Sequence, residues 1–129
     1  MREIEIDFYS GFDDDTEIIF SIETGEYRKK LSIWHFYFEK IMDKIEPEND
    51  EWTNIAYYYR FMVGWDREEN WKIPNLDVAL FQFRSIKLTP DNRNNQMYFN
   101  AECRILAEII DILSEAIDKK VDVYIKKIT

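Results

Sequence analysis

The chain has 129 residues and a mass of 15.8 kDa, which suits a single domain, 1–129, whose core needs neither metals nor disulfides. Its 46% hydrophobic and 16% aromatic content excludes a disordered chain. A formal net charge of −9 disfavours nucleic acid and anionic membrane surfaces as direct ligands, because both require a basic surface. A basic protein is therefore the expected electrostatic partner.

The sequence gives no indication of a cofactor or a membrane segment. Cys103 is the only cysteine, so neither an internal disulfide nor a cysteine metal cage is expected. No apolar run approaches the roughly 18 residues of a membrane span. The N-terminus begins with acidic alternation instead of a basic and apolar leader. These features predict a cytoplasmic protein that binds no metal or other cofactor.

Negative charge is concentrated in the first 23 residues, where one basic side chain, Arg2, stands against eight acidic ones, a net −7 of the total −9. Segments 2–8 and 17–23 alternate apolar and polar residues, which is typical of half-buried strands. We expect them to pair as a hairpin with their acidic residues on one solvent face. Like charges opposed across strands are destabilising. We therefore expect either that nearby cations compensate them or that their negative electrostatic field attracts a binding partner. The alternative is that this acidic face is an ordinary solvated surface whose negative charge is compensated by nearby lysines.

From residue 31 the spacing of apolar residues becomes helical, and it predicts a first helix over 31–45 that Pro47 ends. A second helix is predicted over 52–63, capped by Asn49 or Asp50 and closed by Gly64. The same stretch is aromatic enough to form a strand instead, and periodicity does not decide between the two.

The C-terminal half contains the most regular pattern in the chain. Residues 71–73 are expected to be a short extended piece, and Asn75 is expected to cap a helix over 76–83. Residues 98–119 form a helix with an apolar face too wide to be left in water, followed by a strand over 121–125. The predicted fold is α+β: a small antiparallel sheet, made of the N-terminal hairpin and the C-terminal strand, packed against several helices. If that strand joins the hairpin, Lys126 and Lys127 could lie across the acidic face.

The loop between the first two strands carries the densest acidic cluster, Asp13, Asp14 and Asp15, with Glu17 just beyond it. Three interpretations are open: a hydrophilic turn, a contact with a partner, or a cation site. Consecutive carboxylates converge on one ion only if the loop wraps, and their spacing is not that of a calcium loop. We include these four residues as candidates for binding a basic partner.

A second candidate region is the aromatic stretch 52–71, which has more large rings than one helix face can bury. Some of them should remain near the surface beside Asp66, Glu68 and Glu69. Exposed rings with carboxylates around them are typical of protein interfaces, and Tyr58 and Trp65 are the expected anchors. The alternatives are that these rings are all core or that they form a homodimer contact.

Catalytic motifs are absent from the sequence. The only histidine, His35, has no partner histidine for zinc, and no serine lies in a strand-to-helix elbow. The three scattered glycines cannot form a phosphate loop. An alternative function remains, a small-molecule-binding or hydrolytic domain with a pocket between sheet and helices, in which His35 and a nearby carboxylate act as acid and base. A homo-oligomeric structural protein is a further alternative.

The small acidic domain also resembles a known family. Three features carry the resemblance: the stretch Trp52-Thr53-Asn54-Ile55-Ala56-Tyr57-Tyr58-Tyr59, the segment Gly64-Trp65-Asp66, and the long helix running into a terminal strand. In these features the chain resembles the immunity proteins of bacterial polymorphic toxin systems. The resemblance implies a protein that occludes a cognate toxin, frequently a cationic nuclease, with acidic and aromatic side chains. It assigns no individual site residue. The expected function is therefore non-catalytic neutralisation of a basic partner.

Overall fold

A computed structural model of the chain describes residues 1–12, 14–49, 51–65, 70–89 and 96–129. These ranges contain five strands: β1 (Arg2–Phe8), β2 (Glu17–Glu23), β3 (Tyr27–Trp34), β4 (Trp71–Lys72) and β5 (Tyr124–Ile128). They also contain four helices: α1 (His35–Met42), α2 (Asn54–Arg60), α3 (Leu76–Arg84) and α4 (Gln96–Lys119). The strands form one sheet in the order β1-β3-β2-β5-β4. The predicted α+β class is confirmed.

Strand β3 occupies the first part of the segment predicted to be the first helix. Its last four residues alternate in burial, and Leu31 and Ile33 are fully buried while Ser32 between them is not. The spacing of three from Leu31 to Trp34 also fits a helix, which is why the helix prediction began too early. Helix α1 starts at His35, and the prediction of helix from residue 31 is wrong.

The predicted N-terminal hairpin is also wrong, because β3 lies between β1 and β2. Strand β1 pairs with β3 in parallel, and β2 pairs with β3 antiparallel, so the sheet is mixed and the hairpin is β2–β3. Arg28 of β3 lies opposite both Glu3 and Glu23, with side-chain nitrogens 3.6 and 3.3 Å from their carboxylates. The cations that the acidic strands require are therefore supplied by β3, although such exposed pairs contribute at most about 1 kcal/mol each.

The helices cover one face of the sheet and bury its apolar side chains. Phe20 of β2, Leu31 of β3 and Ile125 of β5 lie on that face and are essentially inaccessible. Against them packs α4, whose buried stripe includes Ile105 and Ile109. The predicted central role of this helix is confirmed. Among the described residues, no helix combines the length and the apolar character needed to cross a membrane.

The start of α2 differs from the prediction, although its helical character is confirmed. Thr53 occupies the N-cap position without a side-chain cap bond, whereas Asn49 lies four residues earlier and Asp50 lies outside the described residues. Gln82 of α3 caps the helix instead, since its side chain accepts a hydrogen bond from the Ile55 backbone N–H (3.1 Å) and donates one to the Thr53 carbonyl (2.9 Å). The Ile55 N–H also donates to the Asn54 side-chain carbonyl at 2.9 Å, so a neighbouring residue and a long-range contact share the role predicted for Asn49 or Asp50.

Two other boundary predictions hold, and one needs correction. Asn75 caps α3 by accepting a hydrogen bond from the Val78 N–H at 3.1 Å, as expected. Gly64 is left-handed (φ +86°), as expected, but α2 ends earlier, at Arg60. Residues 71–73 contain the short strand β4, as predicted.

Strand β5 begins three residues later than predicted, after a turn at Lys120 (φ +58°). It pairs with β2, as the sequence suggested, and Lys126 lies opposite Ile19 on the open face of the sheet. Lys127 points to the other side, with its ammonium 5.3 Å from the centre of the Trp65 ring. Because neighbouring strand residues face opposite ways, only one of these two lysines can lie on the open face.

Candidate functional site

The loop over residues 9–16 must cross the end of β3, because β3 lies between the two strands that the loop connects. Asp7 starts this loop by accepting hydrogen bonds from the backbone N–H groups of Tyr9 (2.7 Å) and Ser10 (3.0 Å) and from the Ser10 hydroxyl. The hydroxyl bond is the main reason that the pKa of the Asp7 carboxyl is lowered. This arrangement is an Asx turn, which fixes the direction in which the loop leaves β1.

The loop is then tied to the start of α1. The Tyr9 hydroxyl donates to the Asp15 carbonyl (2.5 Å), and the Asp15 N–H donates to the Phe12 carbonyl (2.9 Å). The Thr16 carbonyl accepts a hydrogen bond from the His35 N–H at 3.1 Å. These bonds place Asp15 beside the first turn of α1.

Five rings gather where the loop meets α1 and the beginning of α4; we call Phe12, Trp34, Phe36, Tyr37 and Tyr98 the aromatic cluster. The Phe12 and Trp34 rings are stacked, with centroids 3.9 Å apart and planes 3° from parallel. Phe36 lies 5.2 Å from Trp34, and Tyr37 meets Trp34 edge-on at the same distance. Tyr98 of α4 lies 6.1 Å from Tyr37. Phe36 and Tyr98 remain 47% and 42% exposed, so the cluster reaches the protein surface.

Two carboxylates lie on either side of His35, whose ring is near Trp34 and Phe36 of this cluster. Asp15 accepts a hydrogen bond from the Trp34 indole N–H at 3.2 Å, and its other oxygen lies 3.7 Å from His35 Nε2. Glu39 Oε1 lies 3.7 Å from His35 Nδ1. The side chains of Asp15 and Glu39 are 55% and 50% exposed. We call Asp14, Asp15 and Glu39, together with the aromatic cluster, the acidic–aromatic surface.

The structure divides the predicted acidic residues of the first loop. Asp14 and Asp15 are exposed and belong to this surface. Glu17 lies on β2, where it accepts a hydrogen bond from the Ser32 hydroxyl on the neighbouring strand. Asp13 lies outside the described residues. Among the residues that the structure describes, no group of three or more His, Cys, Asp or Glu side chains is arranged to hold a metal ion.

The predicted aromatic anchors are not where the sequence suggested. Trp65 is only 6% exposed and packs against Tyr59 and Phe38, with ring centroids 5.5 and 6.0 Å away. The expectation of a surface ring at Trp65 is therefore wrong. Tyr58 is half-buried against Trp71, at 5.2 Å. The neighbouring acids Asp66, Glu68 and Glu69 lie outside the described residues.

Sequence reasoning missed the rings that accompany the acidic loop, although a pattern for them exists. Residues 34–38 are five consecutive aromatic or imidazole side chains, and a helix cannot bury five consecutive positions. Some of these rings had to lie at the surface. Glu39 follows directly, so the same segment supplies both exposed ring and carboxylate.

A separate cleft of about 280 Å³ lies on the other side of His35. Its lining includes Thr16, His35, Glu39, Tyr59 and Lys127. Burial raises the pKa of the Tyr59 phenol from its ordinary value of 10.0 to about 12, so its hydroxyl stays protonated even in mildly alkaline solution. An imidazole beside a carboxylate in a cleft is the minimum arrangement for acid–base chemistry. The described residues of the cleft lining include neither serine nor cysteine, and the Thr16 hydroxyl is their nearest equivalent.

No family model, curated protein or solved structure matches this chain.

Proposed function

We propose that this domain is a non-catalytic, cytoplasmic binding protein of the immunity type, which neutralises a basic partner such as a toxin nuclease. The observation that supports the proposal is that two half-exposed carboxylates, Asp15 and Glu39, flank His35, whose ring lies 5.7 Å from the exposed ring of Phe36. Aromatic rings provide contact area at low entropic cost, and carboxylates around them attract a cationic partner. The resemblance to immunity proteins points in the same direction.

The open face of the sheet is less suited to this role than the acidic–aromatic surface. Three cations, Arg28, Lys30 and Lys126, and one carboxylate, Glu23, line a cleft of about 480 Å³ on that face, so its middle has a net positive charge. By contrast, among the described residues the ion pairs of Asp15 and Glu39 are both with His35, which carries a charge only when protonated. The carboxylates of the acidic–aromatic surface are therefore less compensated by permanently charged cations than Glu3 and Glu23 of the sheet, which pair with Arg28.

The mechanism is electrostatic capture followed by docking. Complementary charge raises association rates by roughly ten- to a thousandfold at low salt, and the effect falls as ionic strength rises. Trp34 and Phe36 then provide apolar contact as water leaves the interface. Occlusion of the partner's own active surface is sufficient for neutralisation, so no covalent chemistry is required.

The test is affinity capture from the lysate of the source organism at low and moderate salt, with a charge-neutralised variant alongside. That variant carries Asp14→Asn, Asp15→Asn and Glu39→Gln. We expect a basic protein to be retained by the natural chain and lost by the variant.

The matched control removes the same number of exposed acids elsewhere, with Asp111→Asn, Asp118→Asn and Asp122→Asn. Asp111 and Asp118 lie roughly 20 and 30 Å from Tyr98 along α4, at 1.5 Å per residue. This control should retain the partner. Retention by both variants, or binding that is insensitive to salt, would contradict the proposal.

A second candidate function is supported by the cleft beside His35. The imidazole and the Glu39 carboxylate, 3.7 Å apart, both line this cleft, as a small-molecule-binding or hydrolytic site would require. A ligand at 100 times its dissociation constant would raise the free energy of unfolding by about 2.7 kcal/mol. A thermal-shift screen with a metabolite panel would detect this stabilisation, and the screen is repeated on His35→Gln. A ligand that stabilises the natural chain but not the variant would favour this second candidate over the first.

A further inference from the structure

A small pocket lies inside the acidic–aromatic surface, where α1 meets the first two turns of α4. Its volume is about 130 Å³, and it is lined by Trp34, Phe36, Tyr37, Lys40, Tyr98 and Glu102. Tyr98 and Glu102 are four residues apart on α4, so they lie on the same side of that helix. The pocket therefore combines four rings of the aromatic cluster with one carboxyl group.

Glu102 is an unusual residue to find at this depth. It is only 5% exposed, and its Oε1 has no hydrogen-bond partner among the described residues. A buried polar atom without a partner costs about 1–3 kcal/mol, and more when it is charged. Such groups are rare in folded proteins and frequently have a functional explanation. Glu102 therefore lines a pocket and presents a buried acceptor, Oε1, for which the described residues supply no donor.

The chemistry of the lining favours an organic cation. Ring faces attract ammonium and guanidinium groups, and a carboxylate supplies the opposite charge. The pocket is well below the 300 Å³ or more that is typical of sites for small-molecule ligands. It has room for the charged end of one side chain with a few methylene groups.

We propose that this pocket receives the cationic head of one lysine or arginine side chain from the basic partner. The inference rests on the proposed function, because it names the partner group that enters the acidic–aromatic surface. Once inside, the head donates a hydrogen bond to Glu102 and contacts the rings of Trp34 and Tyr98. The exposed carboxylates Asp15 and Glu39 attract the partner, and the pocket holds it.

Lys40 already lines the pocket and lies close enough to Glu102 to favour its ionised form. A cation arriving from a partner must therefore compete with the Lys40 ammonium. This competition provides a distinctive test, because removing the Lys40 charge should strengthen binding of an external cation, whereas removing the Glu102 charge should weaken it. A merely structural role for either residue would not produce opposite effects.

The test uses two side-chain analogues as probes, n-butylammonium for lysine and methylguanidinium for arginine, with 1-pentanol as the neutral control. Binding is followed by NMR through the indole N–H signal of Trp34, and the other three tryptophans serve as internal references. We expect a saturable shift of the Trp34 signal with at least one cation and none with 1-pentanol. Affinity should fall by about tenfold or more in Glu102→Gln and rise in Lys40→Met.

The exposed substitution Asp111→Asn on the same helix controls for loss of charge, and the dispersion of the amide spectrum shows whether each variant is folded. Equal shifts with 1-pentanol, or unchanged affinity in a folded Glu102→Gln variant, would overturn the proposal.

A captured partner then distinguishes failure of the pocket from failure of the proposed function. Because buried charges act mainly on dissociation, Glu102→Gln should speed dissociation while leaving the salt dependence of association unchanged. Neutralising Asp14, Asp15 and Glu39 should instead slow association. If the partner dissociates at the same rate from Glu102→Gln, the pocket inference fails while the proposed function stands. If the probes bind but no partner is captured, the pocket takes a free amine and both proposals fail.

Discussion

Replacing Glu102 by glutamine should stabilise the free protein at neutral pH. The substitution keeps the size of the side chain but removes its negative charge. Glu102 is only 5% exposed, and its Oε1 has no hydrogen-bond partner among the described residues. A neutral amide costs less to bury than a carboxylate, and we expect a gain of about 1–2 kcal/mol in the free energy of unfolding. For a domain of this length, the gain corresponds to a rise of about 4–7 °C in the Tm.

The gain should depend on pH, because burial raises the pKa of the Glu102 carboxyl. Lys40 of α1 and Lys44, just beyond its end, lower the pKa of this carboxyl, and the phenols of Tyr37 and Tyr98 face the same region. When the folded pKa lies above the unfolded one, the native state binds more protons between the two values. The stability of the natural chain therefore falls as pH rises through that window.

The assay is urea denaturation of both chains at pH 7 and at about pH 3, below the usual titration range of glutamate. The stability difference should be largest at pH 7 and should shrink at low pH, where the carboxyl is protonated in both states. Asp111→Asn, an exposed change on the same helix, should be nearly neutral. If Glu102→Gln is instead destabilising at pH 7, Lys40 already satisfies the carboxylate, and the explanation of Glu102 as an unpartnered acceptor is wrong.

Two further predictions concern the framework that supports the site. Gly64→Ala should lower the free energy of unfolding by about 2–4 kcal/mol, because Gly64 has φ +86° and a Cβ there would overlap the indole of Trp71. Gly11→Ala, at φ +97° but with open space around it, should cost only about 1 kcal/mol, and equal losses in chemical denaturation would contradict the role of Trp71. Gln82→Leu should cost about 1–3 kcal/mol and reduce hydrogen-exchange protection in α2, since Gln82 caps Ile55; unchanged protection would show that the cap is dispensable.

Much of the helical structure could be predicted from local patterns. The long apolar stripe of α4 and the cap at Asn75 are properties of short windows of sequence, and both appear as expected. The helix-or-strand ambiguity of α2 was real, because its aromatic residues suit either state. In the structure the first turn of the helix is bonded to Gln82, which is 27 residues away from Ile55 and so lies beyond any local pattern.

The candidate site was only partly predictable. The acidic loop was identified from composition, but four of the rings beside it are distant in sequence from Asp15: Trp34, Phe36, Tyr37 and Tyr98. They meet because the loop crosses the end of β3, and no local pattern indicates that β3 separates β1 from β2. Glu102 likewise looks like an ordinary polar helix position until α1 packs over it.

The sequence by itself therefore determined the α+β class, the existence of most elements and the concentration of negative charge near the N-terminus. These follow from residue periodicity and composition, which act over a few residues. Tertiary structure alone decided which strands are neighbours, which rings stay exposed and which carboxylates are compensated. Strand order depends on long-range pairing energies, which no short window of sequence contains. Because β3 places Arg28 between Glu3 and Glu23, acidic residues that the sequence left uncompensated are ion-paired in the structure.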